Sequence, residues 1–146
     1  MDVDLLREQK ETLQRGADLL GTLLLPIGFE FEFLGAGKGS GGAFAFGHFQ
    51  RGKRRLEFHV RNALGLVRYH FGDRSMSHED YMHALLEKRH ASKYPGFSGG
   101  PMDGFRDLLS DLANFGTDFL AGSDDRLLQR IEQANRLSQS SHGLPE

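Results

Sequence analysis

Phe29-Glu30-Phe31-Glu32-Phe33 alternates with a strict two-residue period, and no other stretch constrains the fold as tightly. Successive side chains of a strand point to opposite faces, so this run predicts a strand with a phenylalanine face and a glutamate face. The period then returns. Ala43 to Gln50 alternates phenylalanine with alanine until Phe49 falls on the opposite parity, which places a bulge at Gly47. Leu56-Glu57-Phe58-His59-Val60-Arg61 alternates again, and in Leu64 to Phe71 the residues Val67, Tyr69 and Phe71 share a face. Gly35 to Gly42 reads as a flexible connection, and Arg51 to Arg55 as a hairpin turn. Four strands joined by short connections predict an antiparallel meander.

The flanks carry the helical period instead. Leu6, Leu13, Ala17, Leu20 and Leu24 form one stripe over residues 3–24, which Pro26 and Gly28 end. Ser77 and Asp80 resemble a capping box for a helix over 78–90 that packs through Met82, Leu85 and Leu86. A second helix, with Pro101 in its first turn, buries Phe105, Leu108, Leu109, Leu112 and Phe115. A third starts at Ser123, with Asp124 and Asp125 favouring its N-terminal dipole, and packs through Leu127, Leu128, Ile131 and Ala134. The fold expected is α+β: an N-terminal helix, a four-stranded antiparallel β-meander, then three C-terminal helices packed on one sheet face. Residues 1–137 form this single domain, and 138–146 read as a flexible polar tail.

Charge and cysteine usage narrow the function classes. A net charge of −2 on 146 residues argues against a dedicated nucleic-acid binder, which carries a basic excess. The absence of cysteine excludes a disulfide framework, a thiol nucleophile and thiolate metal sites, and fits a reducing, cytoplasmic compartment. The start Met-Asp-Val-Asp lacks the basic segment of an export signal. The most apolar stretch, residues 19–29, is too short to span a bilayer, and no membrane association is expected.

Two motifs fail, one on context and one on spacing. Gly37-Lys38-Gly39-Ser40-Gly41-Gly42 matches G-x-G-x-x-G, but a phosphate cradle needs a helix to follow and a strand is expected instead. His78 and His83 sit five apart, which turns the second imidazole about 140° from the first and misses the zinc-helix spacing of four. No cofactor, metal or catalytic residue is assigned, and the reading leans away from an enzyme.

Three surfaces are candidates. If the aromatic residues face the helices, the outer face of the sheet carries Glu30, Glu32, Glu57, His59, Arg61, Arg68 and His70. Such a set suits a partner-binding face, although carboxylates and imidazoles on neighbouring strands also have the chemistry for metal binding or proton transfer. The loop Lys93 to Pro101 combines two prolines with Tyr94 and Phe97, which with Ser98 make it a candidate binding loop. The turn residues Arg51, Lys53, Arg54 and Arg55 are a candidate basic patch for phosphates.

Gly39-Ser40-Gly41-Gly42 with Phe49, Leu64 to Tyr69, Ser77 to Met82 and Tyr94 to Ser98 together resemble a family of small bacterial cytosolic proteins of unknown function, over residues 29–121. That resemblance implies no activity and no site residues. The functional expectation is a non-catalytic protein-interaction module, immunity-like or a complex subunit, acting on a protein partner or as a homodimer. The alternatives are a small-ligand binder or enzyme with a pocket between sheet and helices, where twelve phenylalanines are available, and a nucleic-acid accessory protein using the Arg51–Arg55 turn.

Overall fold

The computed structural model describes residues 2–86 and 100–142, with side chains from 4 to 86 and from 100 to 138. Helix α1, Asp2–Leu24, ends in a short 3-10 turn, Leu25–Ile27, closed by Gly28 at φ 97°. Five strands follow: β1 Glu30–Gly39, β2 Gly42–Arg51, β3 Arg54–Arg61, β4 Ala63–Phe71 and β5 Arg74–Ser77. They form one antiparallel sheet in the order β1-β2-β3-β4-β5, so the expected meander has one strand more than its sequence pattern indicates. The extra strand follows a two-residue turn, Gly72-Asp73, with Gly72 at φ 59°. Four described α-helices complete the chain: α2 His78–Leu86, α3 Asp103–Phe115, the single turn α4 Thr117–Leu120, and α5 Asp124–His142.

Capping follows the sequence at two starts. Ser77 Oγ accepts the backbone N–H of Asp80 at 3.0 Å, and Ser123 Oγ accepts that of Arg126 at 3.2 Å. Pro101 lies in the turn before α3 rather than within its first turn. Leu137 packs against the core near the C-terminal end of α5, whose backbone stays helical as far as His142, beyond the expected start of the tail.

Two expectations inside the sheet are corrected. Gly35 to Gly39 belong to β1, and only Ser40 and Gly41 turn the chain into β2. Glycine weakens a strand because it has no side chain to pack. Here the neighbouring strand supplies one: a Cβ at Gly35 or Gly37 would stand 3.1 Å from the ring of Phe46 or Phe44. The bulge lies between Phe33 and Gly35 in β1, while β2 runs through Gly47 without a break. Ala43, Ala45, Gly47 and Phe49 therefore share the inner face, and Phe44 and Phe46 point outward. The small residues have a packing reason. Helix α1 lies chiefly across β2, and a Cβ at Gly47 would sit 2.8 Å from the Phe31 ring.

The inner layer is filled with rings. Phe58 meets Phe105 of α3 edge-on at 5.8 Å, Tyr69 meets Tyr81 of α2 at 5.1 Å, and Phe29 stacks on Phe119 of α4 at 5.4 Å. Leu56, Phe58, Val60, Val67 and Tyr69 are all fully buried. Each such side chain contributes about 1.5–3 kcal/mol of burial. The buried residues of the described helices share one core with those of this face.

Candidate interaction face

The strand register lays the open face out in rows. Glu30, Gln50, Arg55, His70 and Ser75 run across the five strands in one row, and Glu32, His48, Glu57, Arg68 and Ser77 in the next. Beyond them Gly35, Phe46 and His59 line up, followed by Gly37, Phe44 and Arg61 at the far corner. All seven residues expected on the outer face lie there. Phe44, Phe46, His48 and Arg55 join them. The parity of Phe49 was the signal for the first two, because counting back from it without a bulge puts both phenylalanines outside.

Glu57 organises the centre. Its Oε2 lies 2.6 Å from His59 Nε2, and its Oε1 lies 2.7 Å from His70 Nε2. Burial alone would raise the Glu57 carboxyl, but the two imidazole hydrogen bonds and their charge outweigh it and hold it below the ordinary carboxylate range. Burial moves His70 the opposite way, lowering it because the cation loses water, with Glu57 only partly compensating. Phe46 stacks on the His59 ring at 4.8 Å and 12°. On the β1 side His48 Nε2 lies 3.1 Å from Glu32 Oε1, and on the β5 side Arg68 Nε donates to Ser75 Oγ at 3.1 Å. Among the described residues, no three His, Asp or Glu side chains converge to hold a metal ion.

The basic turn does not present four free cations. Arg51 donates to the carbonyls of Ile27 and Leu120, both at 2.8 Å, with its guanidinium 4.5 Å over the Phe29 ring. Arg54 is buried and donates to Phe119 O at 2.8 Å, Gly122 O at 2.5 Å and Asp124 Oδ1 at 3.0 Å. These two arginines satisfy carbonyls at the end of α4, as a guanidinium fork can. Lys53 stays exposed at the turn, and Arg55 stands on the open face. Tyr94, Phe97 and Ser98 lie outside the described residues.

A second polar cluster looks catalytic and is sealed. Tyr69 Oη lies 2.7 Å from His78 Nδ1, and His78 Nε2 lies 2.8 Å from Asp111 Oδ2. Burial pushes the Tyr69 hydroxyl well above its ordinary value, with the charges of Tyr81 and Asp111 adding to it. Tyr69 therefore keeps its proton, and with Oη–H donated to Nδ1 the ring's Nε2–H is left for the Asp111 carboxylate. With His78 and Asp111 side chains at 0% exposure, no substrate reaches the imidazole. The chain ties the start of α2 to β4 and α3. His78 is buried here, whereas His83, five residues on, faces solvent.

No described helix is long and apolar enough to cross a membrane. In comparison with known proteins, no family model matches the chain, and neither a curated relative nor a solved structure matches it.

Proposed function

We propose that the chain is a non-catalytic interaction module whose docking surface is the open face of the sheet. One observation carries this reading: Phe44, Phe46 and Leu66, the last 46% exposed, stand on the sheet face opposite the helix-packed core, beside charge pairs already joined to one another. The rings of Phe44 and Phe46 cover Gly35 and Gly37, and aromatic rings are also what interfaces are enriched in. The prejoined Glu57 pairs lower the ordering cost of binding, because their rotamers are set before a partner arrives.

The reading of the inner phenylalanines as walls of a ligand pocket draws no support from rings packed 5–6 Å apart. The basic-turn reading loses Arg51 and Arg54 to internal carbonyls.

The test is affinity enrichment with the full chain, with Glu30→Lys and Arg68→Glu as face variants and Arg106→Glu on α3 as a control away from it. The expected result is a protein retained by wild type and control and lost from both face variants, with cross-links mapping to β2–β4. Retention by the face variants would sink the reading.

A further inference from the structure

We infer that the Phe44–Arg61 corner of the open face is a pocket for a chain-terminal carboxylate carried on an apolar or aromatic residue. This rests on the docking reading above and states which group of the partner enters first.

A groove of about 380 Å³ opens there, bounded by Phe44 and Leu66 with His59 and Arg61 as its polar members. That volume lies within the span of ordinary ligand sites. The Arg61 guanidinium carbon stands 5.7 Å over the Phe44 ring, and none of the described residues accepts a hydrogen bond from it or pairs with it. Arg51, Arg54, Arg68 and Arg130 are all bonded within the chain.

The position of that fork is prepared by glycine. It lies over the β1–β2 turn, where a Cβ on Gly41 would overlap Nη1 and one on Gly39 would stand 3.5 Å from Nη2. A planar guanidinium beside a ring, with its N–H edge unspent, matches a carboxylate in two-point geometry. Glu57 stands next to His59, 2.6 Å from its Nε2, and its charge repels a dianionic phosphate more than a monoanion. The apolar walls then choose the stem. An Asp or Glu side chain brings a carboxylate without apolar bulk, whereas an apolar C-terminal residue brings both on one residue.

The probe is N-acetylphenylalanine, titrated into isotope-labelled full-length chain while backbone amide shifts are followed. Its carboxamide, acetate and phenyl phosphate serve as comparisons. The acid is expected to saturate shifts at Phe44, His59 and Arg61, with the amide and acetate each weaker by on the order of tenfold or more, the loss of one charged bidentate contact or its apolar stem, and phenyl phosphate weaker through its second charge beside Glu57. Arg61→Gln loses the acid to the same degree. Gly41→Ala, which keeps the arginine but occupies its place, also loses it while circular dichroism stays native.

Equal binding of acid and amide, undiminished binding to Arg61→Gln, or no saturable shift in the wild type each overturns the inference. Glu30→Lys and Arg68→Glu lie outside the groove and keep the acid. A partner lost from those two variants, with no acid bound by wild type, overturns the corner pocket and leaves the docking face standing. Acid bound with no partner retained supports the pocket and overturns the wider reading.

Discussion

Asp111 Oδ2 lies 2.8 Å from His78 Nε2, and neither side chain has any exposed surface. A buried polar pair of this kind is worth little against an apolar replacement of both members, but removing one member is costly. Asp111→Ala takes away the acceptor that faces Nε2 and opens space beside it, with an expected loss of about 3–5 kcal/mol. Tyr69→Phe removes one hydroxyl from the other end of the chain and costs about 1–2 kcal/mol. Urea unfolding of both variants checks the order. A Tyr69→Phe loss as large as that of Asp111→Ala would mean that the carboxylate is not the group holding the imidazole.

Arg54 separates a structural arginine from a surface one. Its fork meets the Phe119 and Gly122 carbonyls and the Asp124 carboxylate, joining β3 to the α4–α5 connection. Arg54→Met keeps most of the packing volume and leaves those carbonyls without their donor. The expected loss is about 2–4 kcal/mol. Arg54→Lys recovers only a fraction, since an ammonium lacks the planar fork. Arg55→Met, one residue along on the open face, changes stability by about 0.5 kcal/mol or less. Matching losses at 54 and 55 in thermal or urea unfolding would refute the distinction.

The parts of this fold that were legible in the sequence are those where one local period decides. Leu13, Ala17, Leu20 and Leu24 line the buried side of α1, and Leu56, Phe58 and Val60 the buried side of β3, as their spacing requires. Strand β5 escaped because Arg-Ser-Met-Ser has a single inward apolar residue, Met76, and its pairing comes from β4. The Gly72-Asp73 dipeptide was the available hint, since it suits a two-residue hairpin. Gly35 to Gly39 escaped because glycine disfavours strand, and the rings that cover it belong to another strand. The general rule that aromatics are buried points Phe44 and Phe46 inward. The rule fails here because Ala43, Ala45 and Gly47 hold the inner positions of that stretch of β2. His78 and Asp111 lie 33 residues apart, and no local pattern announces which distant polar groups will meet.

Gly16 sets two effects of known size against each other. It lies in α1 where a Cβ would overlap the ring of Phe105, itself fully buried under Phe58. Alanine gains about 1 kcal/mol over glycine within a helix. Overpacking a filled core costs about 1–3 kcal/mol. With a ring that has nowhere to go, the cost wins, and Gly16→Ala is expected to destabilise. In a Phe105→Leu background the ring edge is gone and the helix preference should emerge, so the same substitution becomes neutral or stabilising. A double-mutant cycle reads the coupling directly. Additive effects would show that α1 and α3 are free to move apart.

The Glu57 pairs give stability a pH dependence with a definite sign. His70 holds its proton less readily in the folded chain than in the unfolded one, where it titrates near the ordinary histidine value of about 6.5. Below that value the unfolded state takes up a proton that the folded state refuses, so stability falls on acidification until the lowered folded value is passed. Glu57 adds a second, more acidic limb. Its contribution is fully present above the ordinary glutamate value of about 4.3 and is lost as pH falls through its depressed folded value. The two limbs run in the same direction but respond oppositely to one substitution. Glu57→Gln abolishes the acidic limb, and because Glu57 is the group that partly supports the His70 cation, it also deepens the limb below pH about 6.5. Urea midpoints measured from neutral pH into the acid range distinguish these outcomes. Identical profiles for wild type and Glu57→Gln would show that the carboxylate carries no charge between the two imidazoles.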